Sequence, residues 1–292
     1  MTVRPRRSVL YMPGSNARAL EKAKTLAADG LILDLEDAVS PDAKAEARRL
    51  VGEALSDRAA YGHRELIVRV NGLDTAWGYA DLAAAAQMNC DAVLLPKVDS
   101  ADMVRRAERI LNAEGGRGDL PIWCMMETAR GMLRAEEIAD ASPRLEGFVM
   151  GTSDLAKELV CQHTALRLPM LTSLGLCLLA ARAAGLAILD GVYLDLNDDD
   201  GFRASCAQGA ELGFDGKTLI HPKQLDGANE AFAPSAEAVA QARKVIDAHR
   251  QAAAEGQGVV VVDGRLIENL HVVMAERTVA LADAIAARGT TG

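Results

Sequence analysis

The stretch Pro121-Ile122-Trp123-Cys124-Met125-Met126-Glu127-Thr128-Ala129-Arg130-Gly131 is a short apolar run that ends abruptly on a carboxylate. Residues 122–126 have the length and composition of a buried strand. Thr128 is suited to cap a helix over 129–139, which leaves Glu127 at the C-terminal end of the strand, in the turn that leads to the helix. That is where α/β proteins place their chemistry. Taken alone, Glu127 reads equally well as a helix cap or a partner of Arg130, so the neighbouring segments decide.

On either side of this unit the same alternation repeats. Apolar runs at 8–12, 30–35, 66–70, 92–95, 122–126, 147–150, 187–194 and 218–220 are separated by Ala-rich segments of helical period at 17–28, 42–55, 80–88, 101–113, 171–184 and 201–212. Strands that are apolar on both faces and alternate with helices belong to a parallel sheet. Eight such units in about 230 residues predict a (β/α)₈ TIM barrel. An open doubly wound sheet is the alternative, weakened because Pro13-Gly14-Ser15-Asn16 follows the first strand where a dinucleotide fold needs Gly-x-Gly-x-x-Gly. Beyond Pro234 come a long helical pattern over 235–255, a Val259-Val260-Val261-Val262 run with Asp263-Gly264 behind it, and a last helix near 270–287. This tail exceeds what eight units need. It predicts a barrel over 1–233 and a C-terminal extension over 234–292, with a boundary anywhere from 233 to 257.

Composition narrows the function classes. The 292 residues are half hydrophobic, enough for a large core, and a net charge of −9 argues against a nucleic-acid or anionic-membrane partner. The five cysteines, Cys90, Cys124, Cys161, Cys177 and Cys206, have no close spacing and lie in or near apolar segments. They read as reduced thiols of a cytoplasmic protein, without a disulfide framework or zinc motif. No long apolar run follows the basic N-terminus, so neither a signal peptide nor a membrane span is expected.

The residues at the predicted strand ends form a set: Glu36 and Asp37, Arg69 and Asn71, Lys97, Glu127, Asp154, Tyr193 or Asp195, and His221. In a barrel all of them face one mouth. Each has a structural explanation as a turn or salt-bridge residue; the full set does not. Glu127 and Asp154, from neighbouring units, are hard oxygen ligands of the kind Mg²⁺ takes, with waters and substrate oxygens completing the shell. Arg69 offers a planar fork for a carboxylate or keto-acid oxygen pair, and Glu36-Asp37 is placed to steady Arg69 or metal-bound waters. No Ser-His-Asp arrangement, Schiff-base lysine or Walker loop competes.

These segments resemble the citrate lyase β-subunit-like family of CoA-ester lyases. The resemblance spans nearly the whole chain and is carried by Arg7-Ser8-Val9-Leu10-Tyr11-Met12-Pro13-Gly14, Leu33-Asp34-Leu35-Glu36-Asp37-Ala38-Val39, Arg69-Val70-Asn71, Pro96-Lys97-Val98, Glu127-Thr128-Ala129, Gly151-Thr152-Ser153-Asp154-Leu155 and Gly216-Lys217-Thr218-Leu219-Ile220-His221-Pro222. It implies a (β/α)₈ barrel, Mg²⁺ on Glu127 and Asp154, and a substrate acid group held by Arg69 and Ser153 beside the metal. It also implies CoA contacts from Tyr11, Lys22, Ile220 and His221, and trimers or hexamers in which the C-terminal element of one subunit closes the site of the next.

The resemblance sets the functional expectation too. The substrate it implies is the CoA thioester of a small hydroxy-dicarboxylic acid. Family lyases are expected to carry an Asp in the C-terminal segment as catalytic acid/base, whereas the matching segment here, Gly264-Arg265-Leu266-Ile267-Glu268-Asn269-Leu270-His271, carries Glu268; position 16 is Asn where an Arg for CoA is expected. The tail is most similar to the (3S)-malyl-CoA thioesterase members. The expected activity is therefore Mg²⁺-dependent hydrolysis of malyl-CoA, with Arg69, Glu36, Asp37 and Glu268 as catalytic groups. Carbon–carbon cleavage of malyl-CoA or citramalyl-CoA is the second reading, and a carrier-dependent or non-catalytic subunit of a larger complex the third.

Overall fold

A computed structural model describes residues 3–256 and 259–289. Eight parallel strands, β1 (Ser8–Pro13), β2 (Gly30–Asp34), β3 (Glu65–Arg69), β4 (Ala92–Leu95), β5 (Ile122–Met126), β6 (Leu145–Met150), β7 (Ala187–Asp190) and β8 (Gly216–Leu219), pair in sequence order. Ser8, Val9 and Leu10 of β1 pair with Lys217, Thr218 and Leu219 of β8, which closes the barrel and rules out the open sheet. Each predicted strand is present. The seventh is shorter than expected, stopping at Asp190, and the eighth starts earlier, at Gly216.

The two-residue period of a strand divides the apolar residues between two cores. Val9, Ile32, Ile67, Leu94, Trp123, Met125, Val149 and Leu189 fill the barrel. Their neighbours, such as Leu10, Leu31, Leu33, Leu66 and Val68, face the helical layer. Trp123 fits because its neighbour in the barrel wall is Gly147, where a Cβ would lie 2.6 Å from the indole ring. Arg6 covers the ring from the N-terminal end of the strands, 4.9 Å from its centroid, and is held there by Glu65 at 2.6 and 2.8 Å.

Helices Ala17–Ala23, Lys44–Ser56, Gly78–Gln87, Ala101–Ala113, Leu171–Ala183 and Asp199–Leu212 follow the predicted segments with shifted ends. The helix expected over 129–139 is corrected to two, Ala129–Leu133 and Ala135–Ala139. Thr128 caps the first as expected, accepting from the Gly131 N–H at 3.0 Å. That turn is pinned under the loop after β4, where a Cβ on Gly131 would lie 2.3 Å from the Val98 carbonyl oxygen, and the chain re-aims at Arg134 to bury Ile138 and Ala139. No helix among the described residues is long and apolar enough to cross a membrane.

The chain divides into two compact units, Arg6–Phe232 and a second unit made of the first five residues with everything from Ala233 onwards. The second contains helix Ala236–Ala254, capped by Ser235, then strands Val260–Val262 and Arg265–Ile267 and helix Asn269–Gly289. The two strands form an antiparallel hairpin through Asp263 and Gly264, both at positive φ, as a two-residue turn of this kind requires. Ala242, Val245, Val262, Ile267, Val272 and Ala275 make its small core, while Val261, Leu266, Leu270, Val273 and Met274 are exposed.

One buried charge cluster ties the helical layer to the end of the barrel wall. Asp190 is fully buried and accepts from Lys217 at 2.7 Å and Arg167 at 2.5 Å. Burial pushes the Asp190 carboxyl up, and the two cations more than reverse this, so it lies below the usual carboxylate range. Asp190→Asn keeps the shape and strands two buried cations. It is expected to cost roughly 3–5 kcal/mol in urea unfolding, and a loss below ~1 kcal/mol would mean that the cluster relaxes into solvent.

Candidate active site

The C-terminal ends of the strands enclose a cavity of about 330 Å³ lined by Tyr11, Asp34, Asp37, Arg69, Met125, Glu127, Met150, Thr152, Ser153, Asp154, Val192, Leu194 and Ile220, among others. It lies within the unit Arg6–Phe232. Of the set expected from the strand ends the cavity is lined by Asp37, Arg69, Glu127 and Asp154, with Glu36 and Lys97 paired behind them, and it takes in two of the four expected CoA contacts, Tyr11 and Ile220. Lys22 is exposed on the helix after β1 and does not line it. His221 is exposed, with Nδ1 accepting from the Lys223 N–H at 3.1 Å. The candidates Tyr193 and Asp195 fall beyond the true end of β7: the Tyr193 hydroxyl donates to Asp198, and Asp195 accepts from the Asn197 N–H. Asn71 is buried as a structural donor to the Leu35 carbonyl and to Asp81.

The hub is Asp34, which the sequence reading passed over. Its two oxygens accept from Arg69 Nε and Nη2 at 2.6 Å each and from the N–H groups of Glu36 and Ala38 at 2.9 Å each. One edge of the Arg69 fork is committed to Asp34 inside the protein, and the outer Nη1 faces Glu36 at 3.0 Å and Asp37 at 3.5 Å. The guanidinium stacks 4.8 Å from the Tyr11 ring. Burial works against the Arg69 charge, but the Asp34 pair outweighs it and holds the group firmly protonated. Burial raises the Tyr11 hydroxyl, which keeps it neutral.

Lys97 joins the two acidic halves of the site. Its ammonium pairs with Glu36, and its backbone N–H donates to Glu127 Oε1 at 2.8 Å. The residue holds φ at +51°, a left-handed conformation uncommon outside glycine that aims this N–H into the mouth. Burial works against the Lys97 charge, and the Glu36 contact more than restores it. Glu36 itself is pushed up by burial, partly offset by Arg69 and Lys97.

Glu127 is 2% exposed and its carboxyl is pushed up to about 7, chiefly by burial, with Glu36 and Asp154 adding repulsion. Its Oε2 lies against Gly151, where a Cβ would sit 2.2 Å away, so residue 151 must be glycine for the carboxylate to enter. Asp154 stands on the first turn of helix Thr152–Glu158 and lines the same cavity. Five carboxylates, Asp34, Glu36, Asp37, Glu127 and Asp154, thus meet two cations, Arg69 and Lys97. No cluster of three or more His, Cys, Asp or Glu side chains is gathered for a metal among the described residues. Glu127 and Asp154 are a pair of hard oxygen donors on one cavity, which fits a divalent ion that keeps waters and substrate oxygens as its other ligands.

This chain is similar to known proteins in sequence and in fold. Residues 7–222 match the family model described as HpcH/HpaI aldolase/citrate lyase. A (3S)-malyl-CoA thioesterase of Cereibacter sphaeroides is 56% identical over 283 residues, covering 97% of this chain and 96% of that protein. An L-malyl-CoA/beta-methylmalyl-CoA lyase of the same species is 37% identical over 308 residues, covering 97% and 96%. Among solved structures, the protein CitE of Mycobacterium tuberculosis in complex with magnesium, acetoacetate and coenzyme A superposes with a TM-score of 0.77 at 30% identity, covering 96% of this chain and 98% of that one.

The Glu127 shift has a measurable consequence. Its carboxyl rises from the ordinary 4.5 to about 7 on folding, so between those values the folded state binds more protons than the unfolded one. Stability therefore falls as pH rises through that window, and the contribution is unfavourable above it. In EDTA, raising the pH from about 5 to about 8 is expected to lower the Tm of the wild type more than that of Glu127→Gln, with Mg²⁺ restoring more at the alkaline end. Equal slopes for the two proteins would show that Glu127 is not strained by its surroundings.

Proposed function

Because this chain belongs to the HpcH/HpaI aldolase/citrate lyase family, we propose that it hydrolyses a malyl-CoA-type thioester to malate and free CoA. The observation that carries the choice of hydrolysis is the gap between 56% identity to a named thioesterase and 37% identity to a named lyase, each over nearly the full length. The mouth supports the same chemistry. It combines a fixed guanidinium, a deep carboxylate pair and an apolar wall of Met125, Met150, Val192 and Leu194 suited to a short acyl chain.

In this reading Glu127 and Asp154 hold Mg²⁺, which when bound polarises an acyl oxygen. The outer edge of Arg69, kept rigid by Asp34, takes the acyl carboxylate. Glu36 and Lys97 keep that guanidinium and Glu127 in register. Glu268 lies in the C-terminal unit, exposed beside the last helix, its backbone N–H donating to His271 Nδ1 at 3.0 Å. We assign it the role of base, brought to the mouth of a neighbouring copy by the tail in a homo-oligomer. It takes a proton from water as the water oxygen attacks the thioester carbon. The carbon–sulfur bond then breaks, and the thiolate takes up the proton to leave as CoA thiol. The exposed apolar face of the tail, Val261, Leu266, Leu270, Val273 and Met274, supports a covered position for it in an assembly. Tyr11 and Ile220, with Lys22 and His221 outside the cavity, are the proposed CoA contacts.

Purified protein supplied with (3S)-malyl-CoA and Mg²⁺ is expected to release free thiol without glyoxylate. EDTA, Glu127→Ala and Asp154→Ala are each expected to abolish this. Glyoxylate and acetyl-CoA with no direct thiol release would establish cleavage in place of hydrolysis, and no turnover at all would favour a non-catalytic subunit. Mixed oligomers of Arg69→Ala and Glu268→Ala subunits, each inactive alone, are expected to regain activity. Failure to do so, with mixing demonstrated, would put both residues in the site of one chain.

A further inference from the structure

Asp37 and Ala38 reach the cavity from the loop after β2, and one of the groups that hold this loop lies outside the cavity. Residues 35–38 are gripped from one side by Asp34, whose carboxylate accepts from the N–H groups of Glu36 and Ala38. From the other side, the Lys44 ammonium donates to the carbonyl oxygens of Leu35 at 2.9 Å and Glu36 at 2.7 Å. Lys44 begins the helix Lys44–Ser56 and is only 6% exposed, with the Trp77 ring 5.3 Å from Nζ. Asn71 Nδ2 adds a second donor to the Leu35 carbonyl at 2.7 Å.

A lysine is an expensive way to satisfy two neutral carbonyls, because burying an ammonium costs free energy that an amide or a water would not. Burial lowers the Lys44 pKa, opposed by Asp34, Glu36, Asp81 and Asp37 at longer range. What the ammonium supplies is several donors from one point together with a positive charge behind the Glu36-Asp37 acidic pair. The grip fixes the backbone of Glu36, and the Glu36 side chain in turn contacts both Arg69 and Lys97. Lys97 then donates its backbone N–H to Glu127.

We propose that Lys44 is a positioning residue for the reaction: by clamping the carbonyls of Leu35 and Glu36 it fixes Glu36, and through Glu36 it sets the placement of Arg69, Lys97 and Glu127. Its kinetic consequence rests on the hydrolase reading; its structural consequence does not. Lys44→Met retains the apolar stem and removes the donors. Two measurements apply, hydrogen–deuterium exchange over residues 35–39 and steady-state kinetics with (3S)-malyl-CoA.

The variant is expected to exchange about tenfold faster in that segment while the peptides of β7 and β8 stay unchanged. A displacement of about 1 Å at the reacting groups predicts a kcat loss of about 10²-fold with KM moved less than about threefold. Lys44→Arg is expected to recover part of both. In a Glu36→Gln background, adding Lys44→Met is expected to change kcat less than about twofold, because the two residues act in series. Unchanged exchange over 35–39, or losses that simply multiply in the double variant, would overturn the proposal. If the wild type does not hydrolyse malyl-CoA, the functional reading fails on its own and the exchange measurement still decides Lys44.

Discussion

A carboxylate with no access to water has to find its hydrogen bonds inside the protein, and Asp34 finds four: two from the Arg69 guanidinium and one each from the N–H groups of Glu36 and Ala38. An ionised carboxylate offers about four lone-pair positions, so this one is saturated. The cost of removing two charges from water is offset only when geometry is this complete. The arrangement joins the last residue of β2 to the last residue of β3 and fixes the loop between the barrel and its cavity in the same step. The Glu36 backbone that brings its side chain to Lys97 and Arg69 is anchored on Asp34 through its N–H and on Lys44 through its carbonyl. The site is thus assembled from the ends of neighbouring strands by charge pairing, on a barrel filled by apolar packing.

The barrel was legible because its signal is local. Runs such as 122–126 and 92–95 are bounded within the sequence by residues that start or stop a strand, and eight of them leave few topologies open. The strand-end rule then located Glu36, Asp37, Arg69, Lys97, Glu127 and Asp154 without knowledge of any contact. It missed Asp34 and Asp190, because a charge inside an apolar run is legible only through its partner, and these partners lie 35 and 27 residues away. The same blindness gave Arg69 a free fork. Arg167, which completes the Asp190 cluster, sits in a connecting segment with φ of +50° that no local pattern marks. The over-long seventh strand has a simple cause: Val192, Tyr193 and Leu194 continue the apolar pattern as cavity wall and loop after the ladder has ended at Asp190.

Glycine placement supplies a second kind of constraint that composition conceals. Trp123 fills the barrel only opposite Gly147, and Glu127 enters the mouth only over Gly151. The first pair lies in β5 and β6 and the second in the residues directly after them, and the two proposed metal-binding carboxylates follow the same strands, Glu127 at the end of β5 and Asp154 on the helix after β6. A Cβ at either glycine would push on the same pair of strands from the interior or from the cavity. The close approach of β6 to β5 is therefore a requirement of the core and of the site together.

Charge balance constrains what the mouth can hold. Five carboxylates face Arg69 and Lys97 at the mouth, and even with the Lys44 ammonium behind the loop the acids remain in excess. An acyl group that brings its own carboxylate would enter against that excess. Arg69 cannot reverse it alone, since one edge of its guanidinium already neutralises Asp34. The strain falls on Glu127, the deepest of the proposed metal-binding pair, whose carboxyl is pushed up to about 7 by burial and by its acidic neighbours. On the proposed reading, a divalent cation would relieve the repulsion that raises this carboxyl. Without such a cation, the excess of acids would oppose the proposed anionic acyl group. On the proposed reading, a cation held by Glu127 and Asp154 would offset the negative walls that an anionic acyl group otherwise meets.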